Sequence, residues 1–154
     1  IKFQALGPSH GDYSIAGAEG LVHIERKSME DAHGTFLSTP GGERAEQWKR
    51  TMEFLAEIEQ GHIIVECTIG QMIKGVFPRG TRELGTLRKT IQRQVTAWSM
   101  DYGLRFWFMD SRGLAQIQAL AILERGWKYA TQQKTKQPQP KHGDALNAAI
   151  EDLF

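Results

Sequence analysis

The sequence predicts an α/β fold, a mixed β-sheet flanked by helices, and three observations carry that expectation. Near the start, two short strand patterns are joined by Gly17-Ala18-Glu19-Gly20, as in a β-hairpin. Farther on, strand patterns alternate with long stretches of helical periodicity. Between them, His62-Ile63-Ile64-Val65-Glu66-Cys67 is a near-continuous apolar run, the pattern of a central strand covered on both faces.

Each element has its own signal. Residues 2–6 read as a short strand, and Gly7-Pro8-Ser9-His10-Gly11 as a loop of turn formers. Residues 12–16 and 21–27 are the hairpin strands. Ser28 opens a helix to about Leu37, where Ser28 and Asp31 have capping-box spacing with Asp in place of the usual Glu. Pro40-Gly41-Gly42 stops it. A second helix spans residues 43–60, with Trp48, Met52, Leu55 and Ile58 along one face. Gly61 ends it, and the apolar strand 62–67 follows. Residues 70–75 suit a short helix before a loop through Pro78 and Gly80. Residues 83–102 form a long helix, with Leu84, Leu87, Ile91, Val95 and Trp98 at helical spacing and Gly103 as its stop. Residues 104–109 are another strand and 113–129 another helix. The chain thus divides into a domain over 1–130, a polar Gln/Lys/Pro linker over 131–143 and a C-terminal helix over 144–154.

Composition limits the function classes. The chain has 154 residues, 40% hydrophobic and 24% charged, a globular balance with enough apolar material for one core. No apolar run approaches the ~20 residues of a bilayer span, so no membrane partner is expected. No secretory signal is visible, and the chain opens on Ile1. The single Cys67 excludes an internal disulfide and a cysteine-based zinc cage, which fits an intracellular, reducing setting. The net charge is only +1, but it is unevenly placed. Residues 74–93 hold six basic side chains and one acid, residues 128–141 hold four lysines and no acid, and residues 144–152 are acidic. Such segments suit either a polyanion or ordinary solvated helix faces.

The hairpin carries the chemistry. Strand alternation puts His23, Glu25 and Lys27 on one face, with Val22, Ile24 and Arg26 on the other. Asp12 begins the neighbouring strand and can meet Glu25 at the open end of the hairpin. Two carboxylates held together repel each other, and a divalent cation relieves that repulsion; Mg2+ typically takes one or two carboxylates and keeps several waters. A lysine beside them can position an attacking water or stabilise charge growing on a phosphate. The plainer alternatives are a turn-forming Asp12, an edge strand defended by charge at Glu25 and Lys27, and a capping role for Asp31. His23 suits a partly buried strand histidine better than a ligand. Trp98, Phe106, Trp107 and Phe108 suit the core, and Cys67 a small buried hydrophobe.

Gly11-Asp12-Tyr13-Ser14, then Glu25-Arg26-Lys27-Ser28, then Asp31 resembles the signature of the ERCC4-type (XPF/MUS81-like) nuclease domain. That family lies within the restriction-endonuclease-like PD-(D/E)xK superfamily, and a phage or bacterial stand-alone member is the nearer comparison. The resemblance plausibly covers residues 2–129, with its sharp motifs in 11–31. It implies a restriction-endonuclease-like mixed sheet and a metal-dependent DNA endonuclease acting on branched, flap or junction DNA, in repair or recombination. Asp12 and Glu25 resemble the ligands of Mg2+ or Mn2+, and Asp12, Glu25 and Lys27 the catalytic set. Arg26 and Asp31 match supporting motif positions. Arg44, Lys74, Arg79, Arg82, Arg88 and Lys89 are the expected contacts to DNA. A homodimer is expected, with residues 113–129 or the terminal segment as its contact, in the cytoplasm or, in a eukaryote, the nucleus. Such domains usually carry an earlier strand with an Asp-x-Arg-Glu motif, expected to lie upstream of Ile1. The competing expectation is a catalytically inactive nuclease-like module that binds DNA or protein.

Overall fold

The computed structural model of the chain describes residues 11–76 and 83–136. The expected strand at 2–6, Arg79, Arg82, most of the linker and the C-terminal helix lie outside the described residues. The elements run β1 (Tyr13–Ser14), β2 (Val22–Lys27), α1 (Met29–Phe36), α2 (Glu43–Ala56), β3 (Gln60–Val65), α3 (Ile69–Val76), α4 (Glu83–Tyr102), β4 (Arg105–Phe108) and α5 (Arg112–Lys136).

The expected mixed α/β architecture forms. The strands make one four-stranded sheet in the order β1-β2-β3-β4. β1 pairs antiparallel with β2, while β2, β3 and β4 are mutually parallel. The antiparallel pair needs only a short loop, whereas each parallel pair needs a crossover, which the helices supply. β3 lies between two partners, and its Ile63, Ile64 and Val65 are fully buried.

Alternation along β3 divides the core in two. Ile63 and Val65 face a large cluster with Phe36, Trp48, Met52, Leu55, Met72 and Ile91 from α1 to α4. Ile64 faces the other way, with Ile24, Ala115 and Ala119, beneath α5. Phe36 sits among Trp48, Trp98, Phe106 and Phe108, with ring centroids 5.2–6.4 Å away in tilted and edge-on geometries. On the other face, α5 approaches closely because its inward residues are small. A Cβ at Gly126 would stand 3.0 Å from Val22 Cγ1.

Several boundaries differ from the sequence reading. The second helix stops at Ala56, not Gln60, because Gln60 and Gly61 pair with Val22 and His23 as the start of β3. Gly61 is a crossing point there: a Cβ would lie 2.5 Å from the Leu55 carbonyl oxygen. α5 runs on to Lys136, past the expected stop at Tyr129 and into the stretch expected as linker from residue 131. Thr, Gln and Lys tolerate a helix, and the first breaker after Gly126 is Pro138. Trp107 is not a core residue. Phe106 and Phe108 point into the aromatic cluster, so alternation turns Trp107 outward, where it is 37% exposed.

A candidate active-site cleft at the end of β2

The site is built by a turn, a strand end and a helix start. Gly11 adopts φ +70, and a Cβ there would press to 3.2 Å from the Ile24 carbonyl oxygen. That left-handed residue brings Asp12 alongside β2, where its N–H donates to the Ile24 carbonyl at 2.8 Å. The register pairs Tyr13 with Ile24, which places Asp12 opposite Glu25. The Asp12 carboxylate is fixed by the backbone N–H of Arg26, donated to Oδ2 at 2.7 Å.

β2 alternates as expected. His23, Glu25 and Lys27 face α1 and α2; Ile24 and Arg26 face α5. His23 is buried edge-on against Phe54 at 5.2 Å and lies apart from the cleft. Lys27 closes the strand. Its Nζ donates to Glu25 Oε1 and to Asp31 Oδ2, both at 3.1 Å, and sits 4.7 Å from the centroid of the Trp48 ring. Only 9% of the Lys27 side chain is exposed, so the ammonium depends on these three partners in place of bulk water.

Asp31 takes a double role. Its N–H donates to the Ser28 hydroxyl at 3.1 Å, the N-cap bond expected of that spacing. Its carboxylate, however, turns to Lys27 rather than completing a capping box. The cap therefore fixes the backbone that aims the acid.

Glu25 feels opposing influences. Burial pushes its carboxyl above the ordinary range, Lys27 pulls it back, and the charges of Asp12 and Asp31 push it up again. A carboxylate in that balance gains from a cation nearby. The sequence-expected ligands stand side by side, Asp12 just before β1 and Glu25 on β2, and each accepts a hydrogen bond through one oxygen, Oδ2 and Oε1 respectively. Among the described residues no group of three acidic, histidine or cysteine side chains gathers closely enough to hold an ion. The donor set thus fits a hydrated hard cation on two carboxylates, not one enclosed by protein.

These groups open onto a polar cleft of about 230 Å³. Glu25, Lys27 and Asp31 line one side, and Arg44, Gln47, Trp48 and Thr51 of α2 line the other. Arg44 reaches in across α1 at Gly34, where a Cβ would fall 1.8 Å from Arg44 Nη1. A glycine inside a helix costs about 1 kcal/mol against alanine, and here the vacated space is taken by the guanidinium. Gln47 and Thr51, one helical turn apart on this wall, carried no local motif and were not expected from sequence.

The remaining expected residues scatter. Arg26 lies on the α5 face, where its guanidinium pairs with Glu66, which also attracts Arg112 at 3.9 Å. Glu66 was not anticipated as a partner; an acid interrupting an otherwise apolar run was its only signal. Lys74 and Arg88 line a second hollow with Gly70, Ile73 and Gly85, between α3 and α4. Lys89 is exposed on α4 and lines neither hollow.

No family model matches the chain, and no curated protein matches it. Among solved structures it is similar to XPF from Aeropyrum pernix, with a TM-score of 0.51 and 22% identity over 97% of this chain and 59% of that one. A structure described as that XPF in complex with DNA matches 84% of this chain and 52% of its own, with 22% identity and a TM-score of 0.48. The chain spans 59% of the length of the first of these. It therefore has an XPF-like fold, as the motifs at residues 11–31 led one to expect.

Proposed function

We propose that the chain is a metal-dependent DNA endonuclease, selective for branched, flap or junction DNA. The observation that carries this reading is the Glu25–Lys27–Asp31 cluster, with Asp12 opposite Glu25, at the mouth of a polar cleft. Asp12 and Glu25 would hold Mg2+ or Mn2+, which when bound polarises a phosphoryl oxygen and acidifies an attacking water.

The rest falls to the protein. Arg44 meets the phosphate backbone from the α2 wall, as a guanidinium fork suits. Lys27 presents its ammonium from a nearly dry position, where its attraction for charge growing on the phosphate is strong. Asp31 and Trp48 hold that ammonium in place. Lys74, Arg88 and Lys89 add charge outside the cleft for DNA as partner. For the expected homodimer the outward face of α5 is the candidate contact, since Ile117, Leu120 and Trp127 are 65%, 49% and 54% exposed.

The test is cleavage of flap and junction DNA with and without Mg2+ or Mn2+. Metal-dependent cleavage is expected, and Lys27→Ala should reduce it at least ~10²-fold while DNA binding stays within about twofold. The second reading, a catalytically inactive module that binds DNA or protein, is favoured by one observation: Asp12 already accepts from Arg26, and Lys27 already neutralises Glu25 and Asp31. It predicts DNA binding with no cleavage under any metal and no response to Lys27→Ala.

A further inference from the structure

The face of the sheet away from the cleft carries a groove of about 340 Å³ between α5 and the first residues of β2 and β3. That volume falls among those of ligand sites, roughly 300–1,000 Å³. Leu21, Val22 and Ile122 supply apolar lining, and two aromatic residues, Trp107 and Tyr129, stand along it. Trp107 is fixed at its polar edge: its indole N–H donates to His62 Nδ1 at 3.1 Å. The bond holds the ring in one orientation through its edge, while 37% of the residue meets solvent. Tyr129 is 46% exposed in the same groove.

The polar members set the character of an occupant. Arg125 lines the groove, and Arg105 stands on the same face of the sheet, in register with His62 across β3 and β4 and exposed to solvent. Among the described residues no acid lines the groove, so its field favours an anion. Gln60 at the start of β3 and Gln118 on α5 place an amide at two points of the wall, each able to donate and to accept. Among the described residues these two amides and the Arg125 guanidinium make no hydrogen bond or ion pair within the protein.

We infer that this groove binds an unpaired nucleotide of a single DNA strand, its base stacked on Trp107 and its phosphates drawn to Arg105 and Arg125. A flat indole held in one orientation suits a base, because every base offers a π-face and stacking needs an open one. Guanidinium groups on two different elements, β4 and α5, suit the phosphates on either side of that base. The amides of Gln60 and Gln118 suit its edge, which is free only when the base has lost its partner. A base inside a duplex is already stacked on both faces, so the groove discriminates against paired DNA. A purely apolar occupant would leave the arginines and amides unused, and their burial beneath it would cost free energy. The inference does not rest on cleavage: the groove and the cleft lie on opposite faces of the sheet, and strand binding here needs no metal.

The test measures binding of a fluorescent thymidine strand of about 12 nucleotides to the full chain by anisotropy, with a chelator present so that no cleavage intervenes. Trp107→Ala should weaken binding at least ~5-fold, whereas Trp107→Phe, which keeps a π-face, should stay within about threefold of the native chain. Ala121→Glu sets an acid at an exposed position of the groove without removing any packed side chain, and should also weaken binding at least ~5-fold. Gln116→Glu adds the same charge at an exposed α5 site outside the groove, and should stay within about twofold. A blunt duplex of the same length should bind the native chain and Trp107→Ala alike. A strand carrying 5-iodouracil should, on irradiation, crosslink to Trp107 or Tyr129, located by peptide mass. No strand binding by the native chain, native-like binding by Trp107→Ala, equal losses from the two glutamate variants, or crosslinks confined to the cleft would each overturn the proposal.

Discussion

The two faces of the sheet are covered unequally, and the difference separates support from exposure. On one face four helices contribute to a deep aromatic core. On the other, among the described residues, α5 alone lies over Ile24 and Ile64, resting on Ala115 and Ala119. The charged cleft belongs to the deep face. Lys27 is held against Trp48, and Trp48 packs on Phe36 and Trp98. A nearly dry ammonium between two acids needs rigid neighbours, because small displacements cost much electrostatic energy at low dielectric. The shallow face has no such demand, and it leaves apolar side chains of α5 and the ring of Trp107 in view of solvent.

If that contrast is right, truncation should cost more on the deep face. Phe36→Ala should destabilise by about 3–5 kcal/mol, since it empties a site ringed by four aromatic side chains. Ile122→Ala under α5 should cost about 2 kcal/mol or less, because Ile122 is only partly buried. Urea unfolding of the two variants makes the comparison, and equal losses would erase it.

Acid should attack the shallow face next. His62 stands at the base of the α5 groove, and burial, helped by Arg105, lowers its pKa to about 4. The folded state therefore refuses a proton that the unfolded chain accepts at about 6.5. Stability from this group is complete above that value and is lost as pH falls towards 4, by about 3 kcal/mol in all. His62→Gln should flatten that part of the stability curve, measured by thermal melts from pH 7 to 4.

The deep face should respond in the opposite sense. Glu25's carboxyl is raised, so its folded form holds a proton more readily than the unfolded chain does. That stability is present below the unfolded pKa and lost as pH rises through the folded one. Glu25→Gln should therefore raise the melting temperature at pH 7, with the gain shrinking as falling pH protonates the raised carboxyl, while the proposed cleavage is lost. A lower melting temperature at pH 7 would mean that the pairing with Lys27 outweighs burial. The smallest effect belongs to the solvent side of α2. Lys49 and Glu53 form an exposed i, i+4 pair at 3.7 Å, and Lys49→Ala should change stability by no more than about 0.5 kcal/mol.

Local pattern carried much of this molecule. The hairpin, the central strand and the face shared by Glu25 and Lys27 were readable because strand alternation is a property of neighbours in sequence. The ends of α2 and α5 were not. Residues 57–60 and 131–136 are good helix material, and only pairing with β2 stops the first while only Pro138 opposes the second. Three aromatics in the four residues of β4 concealed which one faces outward. Gln47, Thr51 and Glu66 acquire their meaning from partners distant along the chain, so no short window of sequence could mark them. Asp31 was ambiguous for a better reason, since its backbone caps a helix while its side chain serves the cleft.

Gly34 offers a handle of a different kind. The clash awaiting a methyl group there is with the tip of a long, rotatable arginine, not with anything fixed. Gly34→Ala should thus leave α1 intact, even firmer, while evicting the Arg44 guanidinium from its berth. A single added carbon, three residues from the nearest motif position and altering no charge, would relocate a positive group that borders the cleft. That separates where a charge sits from how much charge there is, which removing the arginine itself can never do.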